Sequence, residues 1–286
     1  MNRIETLYYD NKPVYKRAID ILFPDEKKTG IKTCALFYIH GGGWTGGSRD
    51  LYHQHMMHFA RRGYCTATAG YRLVPSVRIR EQMTDLIRAY EVFQAALKKK
   101  FPAVKKTIVL GSSAGAHLSS LLALTKPGTF GKIRLSGKWI PPVACVSVCG
   151  PGTVEKHKNM NPVIYGALEK LLGASYADNP GLFIKASPIT HVHAGSPDFY
   201  FILARDEDCF PHVYINEMAE KLRRCGSMVQ IKTFPAEHGF FYFLDSPVQK
   251  QALRSLEKYL SQYGCSSSYP SSLVSPSSSH VQRHQR

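Results

Sequence analysis

A short apolar run, Ile108-Val109-Leu110, ends in Gly111-Ser112-Ser113-Ala114-Gly115 and passes into a stretch with helical apolar spacing over residues 114–124. This strand-to-helix corner restricts the chain more than any other feature. A tight corner crowds the backbone, and glycines two residues either side of the serine relieve the crowding. It also holds Ser113, a poor nucleophile at neutral pH, where a neighbouring base can reach its hydroxyl. The N–H of Ala114, in the first turn of the helix, points to where negative charge develops on an attacked carbonyl. Taken alone, the pentapeptide equally describes a structural turn or a phosphate cradle.

A second motif narrows the choice. The apolar run over residues 35–39 ends in His40-Gly41-Gly42-Gly43-Trp44. Three consecutive glycines past a strand can turn backbone N–H groups into a cavity with no side chain in the way, which supplies the rest of an oxyanion hole. Together the two motifs resemble the α/β-hydrolase superfamily, and within it the microbial esterases and hormone-sensitive-lipase-like enzymes that carry such a loop ahead of the serine. The resemblance covers about residues 10–262 and includes Tyr71-Arg72-Leu73-Val74-Pro75, Gln82 with Asp85, Leu172-Gly173 and Ala186-Ser187-Pro188. It implies an α/β-hydrolase fold: a mostly parallel central sheet, helices on both faces and a small cap insertion.

The segments in chain order agree with that expectation. Residues 14–23 read as an antiparallel strand at the sheet edge, 35–39 and 65–69 as buried strands, and 79–97 as an amphipathic helix. Ser48 is expected to cap an intervening helix that Gly63 closes. Residues 107–110 and 143–148 are the next strands, and the alternation with helices argues for parallel pairing. Irregular periodicity over 151–198, with one amphipathic piece near 163–172, marks the expected cap. Strands at 199–204 and 229–234 bracket a helix at 211–224, with Pro211 in its first turn, and a last helix starts at Ser246-Pro247. The division is therefore a catalytic domain over 1–264, with its cap at about 151–198, and a Ser/Pro-rich tail over 265–286 expected to be disordered.

In this superfamily the acid follows the strand after the cap, and the histidine follows the last strand. His238, in Glu237-His238-Gly239-Phe240, occupies the histidine position. For the acid, Arg205-Asp206-Glu207-Asp208 offers three carboxylates, and the family spacing counted from Arg205 selects Asp208 ahead of Asp206. The glycine usual at the start of that turn is missing. The implied constellation is Ser113, His238 and Asp208, with Gly42, Gly43 and Ala114 as oxyanion donors and Trp44 against the substrate.

The remaining histidines read more plainly. His40 is expected to shape the glycine loop by hydrogen bonding, and His117 to pack within its helix. His53, His55 and His58 share one helix, but no carboxylate or cysteine joins them in a metal pattern. No metal or cofactor is expected.

Seven cysteines without CxxC spacing lie mostly in apolar runs, which describes reduced core thiols better than a disulfide framework. No run approaches the roughly 18 apolar residues of a membrane span, and no leader is evident at the start of the chain. A cytoplasmic setting follows as the expectation. The net charge of +16 comes from dispersed lysines and arginines without a nucleic-acid motif, so the partner expected is a small-molecule ester. Short-acyl ester hydrolysis, including removal of acetyl groups from carbohydrates, is the leading expectation. Amide or formamide hydrolysis is the nearest alternative, followed by a hydrolase-like binding scaffold.

Overall fold

The structure, a computed structural model, describes residues 3–10, 14–158 and 160–264. The expected tail at 265–286 lies outside the described residues. Eight strands form one sheet in the order β1-β2-β4-β3-β5-β6-β7-β8. They are β1 Glu5–Tyr8, β2 Ala18–Leu22, β3 Cys34–Ile39, β4 Cys65–Ala69, β5 Lys106–Ser112, β6 Ala144–Val148, β7 Asp198–Asp206 and β8 Val229–Glu237. β1 and β2 join antiparallel, and β2 pairs antiparallel with β4. All later neighbours are parallel.

The strand expected at 14–23 is β2, one place in from the edge. The edge itself is β1, whose four residues are all exposed and carry no alternating apolar signal. At the opposite edge β8 leaves most of its residues outside the core, whereas β3 and β4 are buried throughout. Continuous burial is what a strand covered by helices on both faces requires.

The sheet divides two cores. Phe37 and Ile39 point toward α2 Ile79–Lys100, α3 Ala114–Leu124 and α6 His212–Arg224, while Leu36 and Tyr38 point toward α1 His53–Ala60 and α7 Pro247–Ser261. α7 begins with a reciprocal cap in which Ser246 and Gln249 exchange bonds, and at the start of α2 the Glu81 carboxylate accepts from the Arg78 N–H. Ser48 does not cap as expected; its hydroxyl bonds Asp50, and a single 3-10 turn, Arg49–Tyr52, leads into α1. Pro211 stands one place outside α6, at its N-cap. Residues 151–198 carry the expected helix, α4 Pro162–Leu172, and a second one, α5 Pro180–Ala186. Asn161 caps α4, and Gly173, at φ 79°, ends it.

The strand order also sets where a site can form. From β3 the chain moves to β4 on one side, then returns to place β5 on the other side of β3. The loops leaving the carboxyl ends of β3 and β5 therefore diverge, and the crevice between them is the natural binding place in an open α/β sheet. The paired ends Ile39 and Gly111 deliver the His40–Trp44 loop and the Ser113 corner to that crevice side by side.

Candidate active site

Ser113 connects β5 directly to α3 with φ 55° and ψ −123°. Among the described residues the non-glycine positions at positive φ are Trp44, Ser113 and Cys149, and each directly follows a strand or glycine loop converging here. Packing explains both glycines of the corner. A Cβ on Gly111 would lie 2.4 Å from the Gly115 carbonyl, and one on Gly115 would lie 2.1 Å from the Ile39 oxygen. No side chain fits at either place. The Ser113 N–H donates to the Val148 carbonyl at 2.9 Å, which pins the corner to β6.

His238 Nε2 lies 2.8 Å from Ser113 Oγ. On its other side, Nδ1 lies 2.8 and 3.0 Å from the two oxygens of Glu207. A carboxylate only accepts, so Nδ1 carries the proton and Nε2 presents its lone pair to the serine hydroxyl. The sheet register makes this meeting inevitable: Asp206 of β7 is paired with Glu237 of β8, and Glu207 and His238 are the next residues of each strand.

The carboxylate that meets His238 is thus Glu207 and not Asp208. Counting from Arg205 as the start of the turn fails because β7 continues through Asp206, with a register irregularity between Ala204 and Asp206. That moves the turn outward and makes Glu207 the first residue beyond the paired segment. Its side chain is only 3% exposed, and it accepts from the N–H groups of Cys209 at 2.9 Å and Phe210 at 3.2 Å. Asp208 is exposed and accepts from the Cys209 thiol, and Asp206 pairs with its exposed neighbour Arg205.

The glycine loop turns tightly: Gly42, at φ 114°, gives its carbonyl to the N–H groups of Thr45 and Gly46, and Gly43 follows at φ 58°. A Cβ on Gly42 would lie 2.4 Å from the Gly46 oxygen, so the turn excludes any other residue. Ala114 is the first residue of α3, where no carbonyl one turn back exists to accept its N–H. His40 acts as expected: its Nδ1–H donates to the Gly41 carbonyl at 2.8 Å, and its ring stacks on Tyr71 at 4.3 Å. Burial holds it neutral, with its pKa pushed down to about 4.

Trp44 departs from expectation. It is fully buried, its indole N–H donates to His117 Nδ1 at 3.1 Å, and its carbonyl accepts from Gln82 and from the Val74 N–H. A side chain with no exposed surface is not a wall of a substrate pocket, so its assignment to substrate binding is corrected. Beside the acid, the Cys149 sulfur, Glu207 and His238 bring their polar atoms within 4.8 Å of one another. Burial drives the Cys149 thiol well above its usual range, which leaves it an uncharged S–H facing the carboxylate. Glu207 and His238 are already committed to each other, so this group forms the acid end of the serine array and not a free metal cage. Elsewhere, His53 bonds Asp20 and His58 bonds Glu257.

A buried acid, an imidazole in a fixed tautomer and a serine at a helix start form a complete array for nucleophilic acyl transfer. Sheet order, corner and array define the α/β-hydrolase fold. The BD-FAE family profile matches residues 19–222, and the chain belongs to that family. Among curated proteins, it is 26% identical over 243 residues to the probable carboxylic ester hydrolase LipM of Mycobacterium tuberculosis, covering 84% of this chain and 56% of LipM. The chain spans about half the length of the curated relatives it matches. Among solved structures, esterase B of Lactobacillus rhamnosis superposes with a TM-score of 0.74 at 20% identity, covering 92% of this chain and 86% of that one. Thermogutta terrifontis esterase 2, phosphonylated by sarin, gives 0.76 at 20% identity, covering 91% and 94%.

Proposed function

We propose that the chain is a serine carboxylic ester hydrolase acting on small, short-acyl esters, acetylated carbohydrates among them. The observation that carries the reading is the continuous hydrogen-bonded line from Glu207 through His238 to Ser113, with 2.8 Å contacts on both sides of the ring. His238 Nε2 takes the hydroxyl proton as Ser113 Oγ attacks the ester carbonyl. Glu207 stabilises the imidazolium that forms, and the N–H groups of Gly42, Gly43 and Ala114 receive the oxyanion. Each such donor lowers the barrier by about 3 kcal/mol. Collapse breaks the ester C–O bond, and His238 returns the proton to the leaving alcohol. Water then attacks the acyl-serine by the same route, with His238 again as base.

Residues 151–198 supply the cap over the site in this reading, and the shape of that segment selects the acyl group. Relatives and structural neighbours described as esterases support the assignment. No helix among the described residues is long and apolar enough to cross a membrane. Free thiols at Cys65, Cys145 and Cys149 suit a reducing compartment, and we place the enzyme in the cytoplasm.

The test is hydrolysis of 4-nitrophenyl acetate and butyrate. The protein is expected to turn both over, and Ser113→Ala to lose about 10³-fold or more in kcat/KM while remaining folded. Hydrolysis confined to formamides or peptides would overturn the ester assignment.

A further inference from the structure

Acyl transfer gives the buried imidazole of His117 no task. His117 lies one turn past Ser113, fully enclosed, and the N–H of its own backbone returns to the Ser113 carbonyl. Its ring is bonded at both nitrogens. Trp44 Nε1 donates to Nδ1 at 3.1 Å, and Nε2 donates to the Ala186 carbonyl at 2.7 Å. An indole N–H only donates and a carbonyl only accepts, so these partners fix the neutral tautomer with its proton on Nε2. An added proton on Nδ1 would face the indole N–H. Burial works in the same direction and pushes the pKa down to about 4.

We infer that His117 is a positioning residue for the oxyanion loop, acting through Trp44 and tying that loop to the segment between β6 and β7. The inference rests on the esterase reading and adds a residue to it. Gly42 and Gly43 have no side chains to wedge them, so the placement of their N–H groups must be imposed from the flanks. Trp44 is the flank next to Gly43. It sits at φ 62°, an uncommon conformation for a residue with a side chain, and persists there because its surroundings hold it at three points. Two are bonds to its carbonyl, from Gln82 and Val74; the third is the indole bond to His117. Ala186 is the last residue of α5, so one imidazole links the nucleophile helix, the glycine loop and the segment 151–198.

The test compares His117→Gln, His117→Leu and Trp44→Phe in kcat, KM and the rate of inactivation by a fluorophosphonate, with a thermal melt to establish folding. Glutamine can accept from the indole and donate to Ala186; leucine can do neither; phenylalanine removes the donor while His117 stays. His117→Leu and Trp44→Phe are expected to lower kcat and phosphonylation about tenfold or more with KM within about twofold, since an oxyanion contact is made mainly in the transition state. His117→Gln is expected within about threefold of the parent, and the variant combining His117→Leu with Trp44→Phe to be no worse than the poorer of those two alone. If His117→Leu does not fold, Trp44→Phe decides. A folded Trp44→Phe or His117→Leu with unchanged kcat overturns the inference, as does a His117→Gln as impaired as His117→Leu. An inactive, unlabelled parent protein would instead sink the esterase reading itself.

Discussion

At the scale of single residues, Glu207 carries the sharpest consequence. In the proposed mechanism its charge stabilises His238 as the imidazolium forms, and Glu207→Gln keeps the shape and loses the charge. We expect kcat/KM to fall about 10³-fold or more, while Asp208→Asn and Asp206→Asn stay within about twofold. Steady-state kinetics on one short-acyl ester with all three variants checks this, and a large loss in Asp208→Asn with little in Glu207→Gln would reinstate the spacing argument. The sequence showed three neighbouring carboxylates but not which one faced inward. That choice depends on the irregularity between Ala204 and Asp206, a property of strand pairing that leaves no mark in the local residues. Ser113 and His238 were legible because their neighbours are dictated by backbone geometry and chain order. Trp44 was misread for the opposite reason: an aromatic beside a glycine loop looks the same in sequence whether it faces substrate or core, and its full burial and its bond to His117 tell them apart.

At the scale of elements, the corner between β5 and α3 is specified by close contact. Ile39 at the end of β3 and Gly115 at the start of α3 leave no room for a methyl group. Gly115→Ala must displace the helix or the strand, and neither is a flexible side-chain end. Overpacking of this kind costs about 1–3 kcal/mol, and more where backbone opposes it. Denaturant titration is expected to show that loss together with reduced activity; Gly137→Ala, where nothing lies within 4 Å, serves as the control. The buried strands β3, β4 and β6 were recognisable because parallel strands covered on both faces read as continuous apolar or small-residue runs. β1 escaped notice because an exposed edge strand has no burial pattern to display. α5 escaped because its seven residues provide too few turns for a periodic signal.

At the scale of the whole molecule, three enclosed imidazoles make the fold sensitive to acid. His40, His55 and His117 have pKa values pushed down by burial to about 4, 3 and 4. In the unfolded chain each titrates near 6.5, so below that pH the unfolded state binds protons that the folded state refuses. Stability is therefore fully present above about pH 6.5 and falls as the pH drops toward 4, each histidine contributing up to about 1.4 kcal/mol per pH unit. Denaturant midpoints measured from pH 7.5 to 4.5 are expected to fall throughout the lower part of that range. Replacing His117 by Gln should flatten the dependence, and an unchanged slope would mean that His117 does not titrate with folding. The overall architecture was legible in the sequence, since alternating strands and helices with a corner serine admit few other arrangements. What the pattern could not hold was the junction between distant parts, where Glu207 meets His238 and where Trp44 meets His117.

The central claim is that Ser113 is a nucleophile activated through His238 by Glu207. Peptide mass mapping after brief exposure to a fluorophosphonate tests it most directly. A single adduct is expected on the peptide bearing Ser113, absent from Ser113→Ala and formed far more slowly in Glu207→Gln. An adduct at another residue, or ester turnover that survives in Ser113→Ala, would contradict it.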